Sequence, residues 1–277
     1  MFRRMPALER LVVTAAFLRS TTTRCCVLGH NSACPVASLN NLQSLTIAYP
    51  DPNDRVFSIP LANLTHLSLR DWPRHYDIVA HKYYSCTWRS PILTATEALS
   101  ALQRLQAPNL ITLELVYLAD KADDDLLSFI AHAFPKLLHL QLHRYRQSSD
   151  EAVDHRHIAQ TLSASKSAVW LRLNLDFPGD PGEYNPDVGS SALEQWRRQL
   201  ATFASEILDM LAPDPTLRGI ALLYHGEPPS MWVWYYRTRH GKIRRVYDRS
   251  PKRRDTFAPE HPFGERKYKG VGPRIQI

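Results

Sequence analysis

The chain has 277 residues, of which 44% are hydrophobic and 22% are charged, and this composition is typical of a globular protein with one sizeable core. No apolar run approaches the ~18 residues that a membrane-spanning helix needs. The four cysteines, with Cys25 and Cys26 adjacent, are a poor disulfide framework for a chain of this length. We therefore expect a soluble protein of the cytoplasm or nucleus, without membrane contact.

The N-terminal segment has two competing interpretations. Met1 to Arg4 is basic and an apolar run from Leu11 to Leu18 follows, as in a signal peptide or a mitochondrial presequence. Glu9 argues against both, and a strand over Leu8 to Val13 explains the same apolar residues. A secreted or organelle-targeted protein stays an alternative, which a processed N-terminus in the mature protein would support.

An apolar-x-x-apolar-x-apolar motif recurs along the chain. Its last three positions alternate apolar and polar, as in a short strand that buries one face and exposes the other. One such strand cannot bury its apolar side alone, so the recurrence predicts stacked strands. The copies begin at Leu42, Leu64, Leu110, Leu137, Ala168 and Leu217, with Leu8 as a seventh candidate.

Helical patterns lie between these motifs. From Leu42 onward the motif starts are separated by 22, 46, 27, 31 and 49 residues, so the two longest gaps have room for an insertion or a degenerate unit. Leucines from 99 to 105 share one helix face, as do apolar residues from 126 to 134. The longest helical pattern runs from Leu193 to Leu211, starts at Ser190 or Ser191 and stops before Pro213.

Long repeats of this kind, with motifs such as Leu64-Thr-His-Leu-Ser-Leu69 and Leu110-Ile-Thr-Leu-Glu-Leu115, resemble the leucine-rich-repeat region of fungal F-box proteins. The resemblance covers roughly residues 8 to 225. It implies an α/β fold, an irregular leucine-rich-repeat solenoid of short parallel strands with helices on the return, and a substrate-receptor role in ubiquitination.

Two features depart from that family. The asparagine that regular repeats place after the strand is absent, since Asp51, Pro73, Ala119 and Arg146 stand at the corresponding positions. No F-box is recognisable ahead of the repeats. We therefore expect a ubiquitin-ligase adaptor as a partner only if an F-box is supplied elsewhere, and the chain can equally be a truncated gene product without that activity.

Charge and composition divide the chain into three regions: a repeat array over 1–230, an aromatic and basic capping hairpin over 231–249, and a basic disordered tail over 250–277. From Arg237 onward there are 13 Lys and Arg against 4 acids, whereas the preceding residues carry 21 basic and 23 acidic groups. In the hairpin, Met231 to Tyr236 alternates like a strand and Lys242 to Tyr247 returns after a turn at His240-Gly241. All of the basic surplus therefore lies at the C-terminal end.

The function we predict is protein binding through the polar face of the strands, without enzymatic activity and with a partner of unknown identity. Curved repeat arrays commonly bind on that face. The candidate partner-binding residues are Ser44, Thr46, His66, Ser68, Thr112, Glu114, His139 and Gln141.

The alternative is a nucleic-acid-associated protein that acts through its basic C-terminal end. Salt-dependent binding to DNA or RNA that disappears on deleting 237–277 would support it. We rank this second, because no recognisable nucleic-acid fold accompanies the charge and a solvated extension explains it. The candidate residues are Arg244, Arg245, Lys252, Arg253 and Arg254.

Signatures of catalysis and metal binding are weak. Cys26, His30 and Cys34 could supply three zinc ligands, but their spacing lacks the usual Cys-x2–4-Cys pair and a fourth ligand. His81 and Cys86 could form a base and a nucleophile, yet no motif orients them. No glycine-rich phosphate loop is present. We therefore expect no catalytic residue, no metal and no cofactor.

Overall fold

The computed structural model describes residues 5, 7–18, 23–29, 39–76, 88–181, 189–211, 217–225, 230–238 and 242–247. The predicted tail over 250–277 and the predicted turn at His240-Gly241 lie outside them. Within the described residues the fold is mixed α/β, with a mostly parallel sheet that is not closed into a barrel. None of the helices described is both long and apolar enough to cross a membrane.

Short strands make up the sheets, and their bounds follow in chain order. The first six are β1 Arg10–Val13, β2 Phe17–Leu18, β3 Ser44–Ala48, β4 His66–Arg70, β5 Trp88–Arg89 and β6 Leu93–Thr94. The next six are β7 Thr112–Leu118, β8 His139–Tyr145, β9 Trp170–Asn174, β10 Gly219–Tyr224, β11 Met231–Arg237 and β12 Ile243–Tyr247.

The main sheet has the order β1-β3-β4-β7-β8-β9-β10-β11-β12, with β6 paired beside β7, while β2 and β5 form a separate pair. Pairing is parallel from β1 to β10 and antiparallel from β10 to β12. Each of the seven motif copies begins two residues before a parallel strand of this path. The strands predicted from the motif, including the N-terminal one, are therefore confirmed.

Equivalent motif positions lie side by side across the sheet. The second motif position forms one cross-strand ladder, and its members from β3 to β10 are buried. That ladder runs Leu11, Leu45, Leu67, Leu113, Leu140, Leu171 and Ile220. Leucines at matching positions thus give a continuous apolar side on which the helices can pack.

The helices of two turns or more in the described residues are α1 Ala95–Arg104, α2 Asp123–Ala133, α3 His155–Leu162 and α4 Ser190–Leu211, and a 3₁₀ helix spans Arg55–Ser58. In α1, Thr94 accepts a hydrogen bond from the backbone N–H of Glu97, whose side chain accepts one from the backbone N–H of Thr94. In α2, Asp123, Asp124 and Asp125 occupy the first turn, where they complement the helix dipole.

The longest helix, α4, begins at Ser190, one of the two predicted residues, and is continuous as predicted. Trp196 is buried and Phe203 is half-buried, and the Phe203 ring stacks on Phe177 with 4.4 Å between centroids. Trp196 and Phe203 therefore face the core, on the apolar side of the helix. The helix contacts α3 and β10, which places it at the C-terminal end of the helical layer.

The antiparallel strands β11 and β12 form the hairpin pairing that the sequence predicted. Trp234 and Tyr235 are buried, and Val233 is the cross-strand partner of Leu222. The aromatic stretch therefore packs on the last parallel strand, as expected for residues whose joint exposure would leave an apolar patch.

A leucine of the ladder should be far more sensitive to truncation than its polar neighbour. Leu140 is almost fully buried, and Leu140→Ala should lower the free energy of unfolding by ~2–5 kcal/mol through lost burial and a cavity. His139→Ala, at the half-buried position beside it, is the matched control and should cost less. Urea unfolding of both variants measures the difference, and equal losses would contradict the assignment of faces.

Candidate functional site

The face of the sheet opposite the leucine ladder carries a row of polar side chains. Cross-strand register places Thr46, Ser68, Glu114, Gln141 and Arg172 side by side on β3, β4, β7, β8 and β9. Neighbouring strands lie about 4.8 Å apart, so each side chain in this polar row can reach the next. Four of the five were predicted as outward strand positions.

Glu114 is the centre of a hydrogen-bond network in the polar row. Its Oε2 accepts from Ser68 Oγ at 2.6 Å, while Oε1 accepts from Arg74 Nη2 at 2.6 Å and from Gln141 Nε2 at 3.2 Å. Burial alone would raise the pKa of Glu114, but the Arg74 guanidinium and further positive charge lower that pKa to about 2. The carboxylate is therefore ionised and fully engaged.

A short segment after β4, residues 71–76, lies over the middle of the polar row, and we call it the covering segment. Arg74 Nη1 donates to Asp71 Oδ1 at 3.0 Å, and the backbone N–H of His75 also donates to the Asp71 carboxylate. His75 Nδ1 lies 2.9 Å from the backbone oxygen of Ser90. Because Arg74 reaches both Asp71 and Glu114, it ties the covering segment to the sheet.

His143 continues the buried polar network on β8. Its Nε2 lies 2.9 Å from Gln141 Nε2, and its Nδ1 lies 3.4 Å from Asn174 Nδ2. The rings of Tyr76 and Trp232 lie against it at centroid distances of 6.1 Å and 5.4 Å. Burial, followed by the charge of Arg74, lowers the pKa of His143 to about 3, so the imidazole is neutral at pH 7.

We expect His143 to make the protein less stable in mild acid. Its folded pKa of about 3 lies below the ordinary 6.5, so between these values the unfolded chain binds a proton that the folded chain does not. This contribution to stability is fully present above pH 6.5 and is lost progressively as the pH falls toward 3. His143→Gln should therefore flatten the dependence of the unfolding free energy on pH.

Urea unfolding at a series of pH values between 7 and 4 measures this effect. His157→Gln is the matched control, because the His157 side chain is 50% exposed and should leave the slope unchanged. If the unfolding free energy of the His143 variant fell with pH as steeply as that of the wild type, His143 would not be the source of the acid sensitivity.

The eight predicted binding residues separate into a buried group and a half-buried group. The buried ones are Ser68, Thr112, Glu114 and Gln141, and the half-buried ones are Ser44, Thr46, His66 and His139. The exposure that the sequence predicts for the first group is wrong. The covering segment closes the middle of the face, and Thr112 lies enclosed between His66 and His139 of the neighbouring strands.

The N-terminal end of the face is more accessible than its middle. Val12 aligns with Thr46 at the start of the polar row and is 55% exposed, which is high for a valine. Ser44, Thr46 and His66 stand beside it and are half-buried. We call these four residues the N-terminal face. Burial and the nearby Arg10 charge lower the pKa of His66, which favours its neutral form.

The C-terminal end of the same face is aromatic. Trp170, Trp232, Trp234 and Tyr236 lie on β9 and β11, and we call them the aromatic platform. Trp234 is buried, whereas Trp170, Trp232 and Tyr236 are half-buried. The Arg172 guanidinium lies 5.8 Å from the Trp232 ring centroid and 5.4 Å from that of Trp234, as in cation–π contacts.

The residues of the nucleic-acid alternative are placed only in part. Arg244 and Arg245 are exposed on β12. Lys252, Arg253 and Arg254 lie outside the described residues. Of these two, Arg244 stands opposite Tyr236 on the side of the aromatic platform, whereas Arg245 lies on the other face of β12.

Metal and thiol candidates can be compared with the structure only where it describes them. The described residues contain no group of three His, Cys, Asp or Glu arranged to hold a metal ion. Cys25 is buried and Cys26 is exposed, and burial raises the pKa of both thiols. The other candidates, His30, Cys34, His81 and Cys86, lie outside the described part of the chain.

Sequence reasoning missed the residues that close the face, chiefly Asp71, Arg74 and His143. A usable signal was present: Arg70 ends β4, Asp71 and Arg74 follow it, and the neighbouring strand β7 carries Glu114 opposite Ser68. His143 continues the polar alternation of β8 two residues after Gln141. No sequence pattern showed that the segment carrying Asp71 and Arg74 folds back onto the sheet.

Comparison with protein-family models, with curated proteins and with solved structures finds no match for this chain.

Proposed function

We propose that this chain is an irregular leucine-rich-repeat solenoid that acts as a non-enzymatic protein-binding module. The observation that carries the proposal is the register of the sheet, in which the same motif position of successive units forms one buried ladder. Helices return the chain between several of these strands and contact one another in sequence order. Stacking of this kind is how repeat arrays bury a continuous core and present one long face.

The electrostatics of the polar row support a structural role for its centre. A general acid or base works best when its pKa lies near the operating pH. The pKa of Glu114 is about 2 and that of His143 is about 3, so neither group exchanges a proton near neutral pH. Both are buried among hydrogen-bond partners, which fits a network that holds the covering segment in place.

The N-terminal face is the proposed contact surface for the protein partner. It combines an exposed apolar side chain, Val12, with the half-buried hydroxyls of Ser44 and Thr46 and the imidazole of His66. Apolar and small polar groups together match the mixed composition of transient protein interfaces. If an F-box is supplied elsewhere, this surface would select substrates for a ubiquitin ligase. Free Cys25 and Cys26 support the cytoplasm or nucleus as the compartment.

Site-specific photo-crosslinking in cells tests the proposed surface. A photoreactive amino acid at Thr46 should give a discrete adduct with a protein partner, because this position lies on the N-terminal face. The same amino acid at Thr202, exposed on the outer side of α4, is the matched control and should give none. Adducts from Thr202 alone, or from neither position, would contradict the proposal.

A bulky charged side chain on the N-terminal face should prevent the photo-crosslinked adduct from forming. Thr46→Arg introduces a long charged side chain beside Val12, while Thr202→Arg adds the same group on the exposed side of α4. With the crosslinker moved to Ser44, we expect a loss of adduct at least about tenfold for Thr46→Arg, which corresponds to about 1.4 kcal/mol of binding. The Thr202→Arg protein should retain it.

A further inference from the structure

The aromatic platform is built into the end of the sheet. Trp234 stands opposite Ala221 of β10, and Tyr236 lies across Gly219 of the same strand. A Cβ atom at Gly219 would be 2.7 Å from the Tyr236 ring, so the ring can come this close to β10 only because residue 219 has no side chain. Small residues on one strand therefore make room for large rings from the next.

The rings of the platform hold one another in place. Trp170 meets Trp234 edge-on at 5.3 Å and Tyr236 at 6.2 Å between centroids, while Trp234 and Tyr236 are nearly parallel with 18° between their planes. Arg172 donates through Nη1 to Gln141 Oε1 at 3.3 Å, which positions its guanidinium against two of the rings. The half-buried rings form a rigid surface that loses little conformational freedom on binding a ligand.

Positive charge lies beside the platform on its own side of the sheet. On β12 and just before it, Lys242 and Arg244 stand on the face of Tyr236 and are exposed. Arg172 adds a guanidinium against two of the rings. Arg237 lies on the opposite side, where it pairs with Asp209 of α4. A ligand suited to the platform side therefore combines negative charge with flat apolar surfaces.

We propose that the aromatic platform binds single-stranded nucleic acid. Unpaired bases offer faces that stack on Trp and Tyr rings, and the phosphates beside them match the arginines. Bases in a duplex are already stacked and cannot reach the rings. This site is separate from the N-terminal face, so it holds whether or not the proposed protein partner exists. It also differs from binding by the basic tail, because it depends on rings in the sheet.

Fluorescence anisotropy of labelled oligonucleotides with the full chain tests the proposal. Twenty-nucleotide dT and U strands should bind, and a duplex of the same length should bind at least about fivefold more weakly. Trp170→Ala should weaken binding of the single strands about fivefold or more, since one base–aromatic stack is worth ~1–3 kcal/mol. Thermal unfolding of the variant checks that it is folded, and Trp170→Phe, which keeps an aromatic ring, should restore most of the affinity.

Arg244 and Arg245 form a matched pair of exposed charges on opposite faces of β12. Arg244 stands opposite Tyr236 on the platform side, whereas Arg245 stands opposite Tyr235, which is buried on the other side. Arg244→Ala should therefore weaken single-strand binding about threefold and reduce the salt dependence by about one phosphate contact. Arg245→Ala should weaken single-strand binding by less than about twofold and should leave its salt dependence unchanged.

Three results would overturn the proposal. The first is the absence of single-strand binding at low salt, and the second is duplex binding as tight as single-strand binding. The third is an equal effect of the two arginine variants together with an unchanged affinity in Trp170→Ala. Loss of binding on changing Lys252, Arg253 and Arg254 to alanine, with no effect of Trp170→Ala, would assign the activity to the tail instead. Polyglutamate binding as tightly as the oligonucleotides would point to an acidic protein.

Discussion

Replacing Arg74 by methionine should lower the free energy of unfolding by about 3–5 kcal/mol at pH 7, because the change removes the guanidinium that pairs with the buried carboxylates of Glu114 and Asp71. Arg74 Nη2 and Glu114 Oε1 are 2.6 Å apart, and the Arg74 and Glu114 side chains are 10% and 0% exposed. Methionine retains much of the side-chain volume, so the loss reports the charge rather than a cavity. Urea unfolding at pH 7 measures it.

The same variant should respond to acid in a characteristic way. In the wild type the pKa of Glu114, about 2, lies below its ordinary 4.5, so its stabilising contribution is present above 4.5 and is lost as the pH falls toward 2. Without Arg74 burial dominates and the folded pKa rises, so the carboxyl can take up a proton. The difference in unfolding free energy between the wild type and Arg74→Met should therefore be smaller at pH 4 than at pH 7.

Two control variants separate the buried pair from arginine loss in general. Adding Glu114→Gln to Arg74→Met removes one of the two buried carboxylates that Arg74 had paired, the other being Asp71, and should recover part of the stability. Arg156→Met breaks an exposed pair with Glu206 and should have little effect, since solvent screens that pair. If Arg74→Met were as mild as Arg156→Met, the covering segment would not be held by this ion pair.

A proline in the middle of α4 should destabilise the fold by ~3 kcal/mol or more. Ala201 lies within the continuous helix Ser190–Leu211 and packs against the core, so Ala201→Pro removes a backbone hydrogen bond and its ring clashes with the preceding turn. Ala201→Gly is the matched control, with an expected loss of about 1 kcal/mol from backbone entropy alone.

Thermal and urea unfolding of the two variants give the comparison, and circular dichroism reports the helix content. A proline variant no less stable than the glycine variant would be incompatible with one uninterrupted helix at this position. A loss of helix content confined to the turns before residue 201, with little loss of stability, would indicate that the N-terminal half of α4 contributes little packing energy.

The strands and the main helices were predictable because their signals are local. Alternating apolar and polar positions such as Leu113 to Leu115 specify a strand with one apolar face, and a period near 3.6 specifies the buried stripe of α4. The short strands β2, β5 and β6 and the 3₁₀ helix carry no such periodicity, and they were not predicted.

The candidate site divides in the same manner. The polar row followed from the motif, since the residues between ladder leucines must lie on the opposite face. Which members of the row stay accessible did not follow, because an arginine after a strand looks the same in sequence whether solvent or a carboxylate surrounds it. Only the fold brings Arg74 to Glu114, a separation of 40 residues along the chain.

The sequence by itself determined the repeating strands, the leucine ladder and the long C-terminal helix, because each depends on side chains a few residues apart in the chain. Tertiary structure alone decided that the covering segment folds back over β4, β7 and β8, so that Ser68, Glu114 and Gln141 became interior. It also decided that Trp170 meets Trp234, since ring contacts between strands depend on the sheet register and on the space left by Gly219 and Ala221. Burial and charge pairing between distant segments are properties of the packed molecule, and no local pattern encodes them.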